Sequence, residues 1–278
     1  MRKLALSLCL VGASLLQGQV QTPQPSPLAQ LIQTIGLTDV SISYSRPSAK
    51  GREVIGNLVP FDQVWRTGAN KNTTIQFSDP VVIEGKKLSA GSYAIFTKPS
   101  SSSWEVMFYT DTENRGLPKE WDSNKVAASV KVIPATTGLL ESFSIWISDL
   151  THNDGVLNIA WETTRISLKI AVPTQEKAMA SIEKTLTNNP KERDYYSSAV
   201  YYLQTGQDLQ QAKKWINTAI EMNDEPYWYF RQQSLILAAL NETKAAVEAA
   251  KKSLSRAKVA GNMDYVKMNT ESIAEWSN

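Results

Sequence analysis

The chain has 278 residues, 42% hydrophobic and 20% charged, which is enough for one large or two modest domains with cores of their own. One cysteine and one histidine exclude a disulfide scaffold and a structural zinc site. Because Lys+Arg number 29 against 27 for Asp+Glu, the composition argues against a nucleic-acid-binding protein. We expect no metal ion, since one cysteine and one histidine supply too few ligands, and no cofactor, since neither G-x-x-x-x-G-K-[ST] nor G-x-G-x-x-G occurs.

The N-terminus predicts export. Arg2 and Lys3 precede an apolar run from Leu4 to Leu16 that is too short to span a bilayer, so residues 1–19 are predicted to be a cleaved signal peptide. Cys9 lies inside this run after the bulky Leu8, which disfavours acylation of the cysteine. The mature chain would be thiol-free, with equal numbers of basic and acidic residues and no transmembrane segment. We expect a periplasmic or secreted location.

The next part of the chain predicts β-structure. Residues 20–27 are a Pro-rich linker. Residues 28–173 contain short alternating runs separated by turn residues, which is typical of an antiparallel β-sandwich of about nine strands. We expect Val81–Ile83 and Tyr93–Phe96 to form a hairpin. We also expect separate strands over Gly155–Trp161 and Arg165–Val172.

One turn near the end of this part contains the single histidine. Phe143–Ile147 and the strand after Gly155 predict a hairpin in which Asp154 and Gly155 supply a positive backbone angle. The same loop does not match a calcium-binding EF-hand, because Asp154 stands where the motif needs glycine. His152 is therefore interpreted as a turn residue.

After Pro173 the apolar spacing changes to three and four residues, which predicts helices over residues 174–278. Asn189 and Pro190 predict one helix start, and Gly206 predicts a helix end before Asp208. Ala212 and Ala246 are 34 positions apart, which is the period of tetratricopeptide repeats. The fold class predicted for the whole chain is an antiparallel β-sandwich followed by an α-helical tetratricopeptide-like solenoid. We expect the helical repeats to contact a protein partner.

The most distinctive motifs are Ser45-Arg46-Pro47, Lys50-Gly51-Arg52 and the run from Val64 to Asn70. Through them the chain resembles, over about residues 28–172, the bacterial domain-of-unknown-function family 2911. Some of those exported proteins carry tetratricopeptide-like C-termini. The resemblance implies a β-rich exported domain. It implies no reaction and no catalytic residues.

The same segment is locally basic, and it suggests two interpretations. Planar arginine donors beside an aromatic ring would suit a carboxylate, sulfate or sugar-acid ligand. Alternatively, the arginines pair with Glu53, Asp62 or strand-end carbonyls and fasten the segment to the sheets, in which case Arg66→Ala should strongly destabilise the fold. The candidate ligand-binding residues are Arg46, Lys50, Arg52, Trp65, Arg66 and Asn70.

Three functions remain open at this level. The first is an exported binding or scaffold protein that takes an anionic or carbohydrate ligand. The second is a hydrolase of cell-envelope carbohydrate that uses two carboxylates. The third is a purely structural envelope protein. The acids available to a hydrolase in the β-rich part are Asp39, Glu53, Asp62, Glu105 and Glu141.

Overall fold

The structure, a computed structural model, describes residues 21–277, and the chain divides into two compact units after Pro173. The predicted signal peptide, with Cys9, lies outside the described residues. Within the described range the first unit contains a short 3-10 helix (Ser123–Lys125) and ten strands. The strands are β1 (Leu28–Ile35), β2 (Thr38–Ser45), β3 (Thr74–Phe77), β4 (Val81–Ile83), β5 (Lys86–Leu88), β6 (Gly91–Pro99), β7 (Trp104–Tyr109), β8 (Val126–Val132), β9 (Ala135–Ser148) and β10 (Asp154–Ala171).

The strands form two antiparallel sheets. The six-stranded sheet has the order β1-β2-β3-β6-β7-β8, and the four-stranded sheet has the order β5-β4-β10-β9. Burial alternates in strands such as β2, whereas β6 and β7 contain runs of consecutive buried residues. One hydrophobic core takes side chains from both sheets, among them Ile42, Phe108, Phe143 and Leu168. The predicted antiparallel β-rich region is confirmed.

Several details of the strand prediction are wrong. Val81–Ile83 does not form a hairpin with Tyr93–Phe96, because β4 turns at Glu84 and Gly85 into β5, whereas β6 joins the other sheet. The two strands expected on either side of Glu162 form one continuous strand, β10, with register irregularities at that residue. The sequence pattern also did not single out β1, whose exposed positions include apolar residues.

The hairpin between β9 and β10 is present, but its strained residue is not the expected one. Asp149 has the positive φ, 52°, and Gly155 does not have one. Gly155 instead lies where a Cβ atom would approach Ile35 Cδ1 and Leu150 Cδ2 to 3.1 Å. Glycine here allows close packing, and the turn is closed by hydrogen bonds between Thr151 and Asp154.

The second unit contains six described helices with short connections. They are α1 (Thr174–Leu186), α2 (Glu192–Thr205), α3 (Leu209–Met222), α4 (Tyr227–Ala239), α5 (Thr243–Val259) and α6 (Met263–Trp276). Neighbouring helices pack through small and aromatic side chains, including the fully buried Ala212 and Ala246. The predicted helical region is confirmed. No helix within residues 21–277 is long and apolar enough to cross a membrane.

The helix ends follow the predicted signals in part. Gly206 ends α2 in the left-handed conformation, and the Asp208 side chain accepts from the first backbone N–H groups of α3, as expected. The start of α2 differs from the prediction. Lys191 is its N-cap residue, and the Asp194 carboxylate accepts from the Lys191 N–H at 2.8 Å.

Candidate functional site

A long connection, residues 46–73, links β2 to β3 and contains the basic segment. Its N-terminal end is attached to β9 of the four-stranded sheet. The Phe143 N–H donates to the Pro47 carbonyl at 2.9 Å, and the Ala49 N–H donates to the Glu141 carbonyl at 2.7 Å. These bonds satisfy backbone groups that an irregular segment would otherwise leave unpaired.

The C-terminal end of the connection is attached to β6 of the six-stranded sheet. Trp65 and Thr97 exchange two backbone hydrogen bonds, of 2.7 and 2.9 Å. The buried Thr67 has a φ of 55°, which is unusual for a β-branched residue, and its carbonyl accepts from the Thr73 hydroxyl. A Cβ atom at Gly68 would lie 3.2 Å from a backbone carbonyl. Strained, closely packed backbone of this kind is found preferentially at functional sites.

Between the two ends lies a cavity of about 460 Å³, which we call the cationic pocket. Three of the residues that line it are basic: Lys50, Arg52 and Arg66. Two are tryptophans, Trp65 and Trp161. The other lining residues are Pro25, Ser26, Pro47, Ser48, Leu58, Val59, Gly68 and Ala69. Of the described residues that line the pocket, none is acidic.

Two of the predicted arginines donate to carbonyl groups, but only one of them bonds to a sheet. Arg46 does not line the pocket. Its Nε donates to the Phe143 carbonyl at 3.0 Å and its Nη2 to the Ser144 hydroxyl at 2.8 Å. Arg52 lines the pocket, but its Nε and Nη2 donate to the carbonyls of Ala49 and Ser48, each at 2.8 Å. Arg46 follows the interpretation in which a strand carbonyl holds the segment on a sheet, whereas the hydrogen bonds of Arg52 stay within the segment.

Arg66 differs from Arg46 and Arg52. Its Nε is buried without a hydrogen-bond partner, and the guanidinium makes no ion pair with any residue of the described chain. Glu53 and Asp62, the acids expected to pair with it, are both exposed. The interpretation of Arg66 as one member of a buried ion pair is therefore wrong. The large loss of fold stability expected for Arg66→Ala depended on that pair, so it is no longer expected.

The remaining predicted residues have mixed positions. Lys50 lies at the exposed rim of the pocket, and its backbone N–H donates to the Glu141 carboxylate at 2.8 Å. Trp65 is half-buried in the pocket wall, with its indole N–H donating to the Gly68 carbonyl at 3.2 Å. Asn70 does not line the pocket. Its amide donates to the Ser26 carbonyl at 3.1 Å and so holds a residue that does.

Trp161 is a pocket residue that the sequence did not reveal. It lies on β10, far from the connection in sequence, and its ring is stacked on that of Trp65 at a centroid distance of 5.9 Å. The next residue, Glu162, has a φ of 55° and accepts a hydrogen bond from the Val54 N–H at 3.0 Å. This irregularity in β10 aims Trp161 and Glu162 at the connection. A tryptophan in an aliphatic strand is a weak sequence signal.

The acids considered for a hydrolase do not gather at the pocket. Asp39, Glu53, Asp62, Glu105 and Glu141 are all absent from its lining. Glu105 accepts from the Ser129 hydroxyl at 2.5 Å, and the Asp39 carboxylate accepts from Thr34 at 2.8 Å. Within residues 21–277 no group of three or more potential ligand side chains is arranged to hold a metal ion.

The shifted carboxyl pKa values lie in other places. A backbone hydrogen bond from Glu113 and the ammonium of Lys125 lower the pKa of Asp111. A hydrogen bond from Lys169 lowers the pKa of Asp154, in the turn before β10. In both places an acid and a base partner each other, whereas the bases of the cationic pocket have no acidic counterion within residues 21–277.

The comparisons with known proteins agree with the N-terminal unit. A family model described as "Protein of unknown function (DUF2911)" matches residues 26–170. No curated protein and no solved structure matches the chain. The matched region includes the whole connection and both tryptophans of the cationic pocket.

Proposed function

Because the chain belongs to the DUF2911 family of proteins of unknown function, for which no activity is assigned, we propose a function from the pocket itself. The protein is an exported binding protein, and its cationic pocket takes a carboxylate or sulfate group of a small or saccharide ligand. The helical unit contacts a second protein.

The observation that carries this proposal is the state of Arg66. A buried guanidinium nitrogen without a partner is costly, because native proteins pair nearly all buried polar groups. Arg66 lines a cavity together with Lys50 and Arg52 and without any acidic lining residue. An anion that enters the cavity would supply the counter-charge that the guanidinium lacks within the described chain.

The shape of the pocket favours a particular class of anion. A volume of about 460 Å³ is within the range of small-molecule sites. A planar guanidinium group can donate two parallel hydrogen bonds to two oxygens of a carboxylate or of a sulfate. The half-buried Trp65 in the same wall offers an apolar surface to the rest of the ligand. A sugar acid combines these features, since it has a carboxylate on an otherwise neutral ring.

Isothermal titration calorimetry with glucuronate tests the proposal, with glucose as the neutral control and sodium sulfate as the inorganic anion. We expect glucuronate to bind and glucose not to bind. Arg66→Ala should weaken binding about 10- to 100-fold, which corresponds to the loss of a charge-assisted hydrogen bond. Lys87→Ala removes an exposed charge of the same unit outside the pocket and should leave binding unchanged.

Three results would count against the anion site. One is equal affinity for glucose and glucuronate, which would assign recognition to the neutral ring. The second is equal weakening by Arg66→Ala and Lys87→Ala, which would show that only the overall charge matters. Absence of binding by every probe at millimolar concentration would count against an accessible site.

The architecture we propose for each unit is more specific than two sheets and six helices. We propose that the two sheets pack face to face as a β-sandwich, supported by the core that their inner residues share. We propose that the helices stack as tetratricopeptide-like pairs. Ala212 and Ala246 are both fully buried at the repeat spacing. Asn241 has a φ of 62°, close to the 66° of Gly206, so that it can replace the glycine in the second turn.

Export is part of the proposal and is tested separately. The support is the basic start and apolar run of residues 1–16, which precede the described residues. Mass spectrometry of the protein from its native host should find a mature N-terminus close to residue 20. An intact Met1 would contradict export, and a lipid-modified Cys9 would indicate a lipoprotein.

A further inference from the structure

The two sheets of the first unit have four edge strands, and one of them differs from the others. β1 and β8 are the edges of the six-stranded sheet, and β5 and β9 are those of the four-stranded sheet. β5 contains Lys86 and Lys87, β8 contains Lys131, and β9 contains Glu141. Charged residues on an edge discourage pairing with another strand. β1, with the sequence LAQLIQTI, contains no charged residue and no proline.

The hydrogen-bond pattern shows which backbone groups of β1 face outward. The Arg46 N–H donates to the Pro27 carbonyl at 2.9 Å, which continues the ladder between β1 and β2. Hydrogen-bonded pairs alternate along an antiparallel ladder. Ala29, Leu31 and Gln33 therefore bond to β2, and the residues between them direct their N–H and C=O groups to the free edge.

The outward residues are Leu28, Gln30, Ile32 and Thr34. The pairing of β2 with β3 agrees with this assignment. The Ser78 N–H donates to the Asp39 carbonyl at 3.0 Å, so Asp39 bonds towards β3 and the residues on either side of it bond towards β1. Within residues 21–277, the Gln33 side chain bonds to this edge. Its amide donates to the Thr34 carbonyl at 2.9 Å. Leu28 and Ile32 have exposed fractions of 66% and 77%.

We propose that β1 pairs antiparallel with β1 of a second copy of this chain, which joins the two six-stranded sheets into one. The outward residues fix the register. If the two-fold axis passes through Leu31, Leu28 lies opposite the partner's Thr34, and Gln30 lies opposite the partner's Ile32. All four outward residues then form hydrogen-bonded pairs, which gives about eight backbone hydrogen bonds across the axis.

A second copy suits this edge better than an unrelated partner. Two identical strands without charge approach each other without like-charge repulsion. An axis perpendicular to the sheet keeps the core-facing side chains of both copies on one side, because odd-numbered residues lie opposite odd-numbered residues of the partner. The pairing also stops at two copies, since each copy uses its one uncharged edge among the four described.

Sedimentation velocity of the purified full chain tests the proposal with Ile32→Pro. Proline is tolerated on an edge strand where the N–H faces solvent, as it does at Ile32, so that the β2 ladder stays intact. Ile32→Thr is the matched control, because it keeps the N–H and a β-branched side chain. We expect dimers for the wild type and Ile32→Thr, and at least about a tenfold higher dimer dissociation constant for Ile32→Pro.

A second variant covers the case in which Ile32→Pro does not fold. Gln30→Lys adds a charge to an exposed position, as the other edges have, and it should also weaken the dimer. A wild type that is monomeric at about 100 µM would overturn the proposal, as would dimers unaffected by both variants. Growth beyond the dimer would overturn it too, because a two-fold pairing of β1 leaves no further uncharged edge among those described.

Discussion

The two ends of the connection between β2 and β3 are fastened by different means. Residues 46–52 are held by backbone hydrogen bonds to β9 and also by the Arg46 side chain, which donates to the Phe143 carbonyl. The Arg52 side chain donates only to carbonyls of its own segment. Residues 64–70 are held by the backbone, through the two bonds between Trp65 and Thr97 and the tight packing at Gly68. The backbone bonds to a sheet at both ends, but only at the first end does an arginine side chain, that of Arg46, add to the attachment, whereas Arg66 at the second end has no such partner within the described chain. This difference explains why similar residues in one basic segment can have opposite roles.

The largest loss of fold stability is expected from a substitution in residues 64–70. Gly68→Ala should destabilise the fold by about 2–4 kcal/mol, because φ is 139° and the new Cβ would approach the Ser45 carbonyl to 3.2 Å. Gly51→Ala is the matched control at the other end. Its φ is also positive, but nothing lies within 4 Å of the added Cβ, so about 1 kcal/mol is expected.

Chemical denaturation of both variants measures this contrast. Equal losses for Gly68→Ala and Gly51→Ala would show that the two ends are packed alike, and the distinction between them would not hold. A larger loss for Gly51→Ala would reverse it.

The second prediction compares the two arginines. Arg46→Ala should cost about 1–3 kcal/mol, since it removes the donors to the Phe143 carbonyl and the Ser144 hydroxyl. Arg66→Ala should change stability by less than about 0.5 kcal/mol, because it breaks no hydrogen bond or ion pair within the described chain. Thermal denaturation without added anions separates the two. A loss at Arg66 as large as that at Arg46 would assign Arg66 a structural role.

Much of this architecture follows from the sequence. Alternation in Val40–Tyr44 and Phe143–Ile147 reports which side chains face the core, and the spacing after Pro173 reports helices, because burial is periodic in both. β1 was not singled out, because its apolar residues occupy both the exposed and the half-buried positions. A strand that is apolar on both sides gives no clear period of two.

The site was predictable only in part, for a different physical reason. The cluster of basic residues marked the connection, but the connection has no periodicity that predicts its path. Whether Arg66 meets an acid depends on where Glu53 and Asp62 point, and both are exposed. Trp161 reaches the pocket through tertiary packing against Trp65. Contacts between residues so far apart in sequence leave no local signal.

The smallest expected effect concerns pH and tests whether the charges of the connection are unpaired. The hydrogen bond from Lys169 lowers the pKa of Asp154 below its ordinary value. A carboxyl group whose pKa is lowered on folding stabilises the fold above the unfolded pKa, and this contribution is lost as the pH falls through the lower folded pKa. We therefore expect Asp154→Asn to reduce the acid sensitivity of unfolding below about pH 4, by no more than about 1 kcal/mol, since Lys169 is largely exposed.

Arg66→Ala removes no such pairing and should keep the wild-type dependence of unfolding on pH. A changed dependence in Arg66→Ala would reveal a carboxylate partner in solution and would remove the contrast between the two ends of the connection.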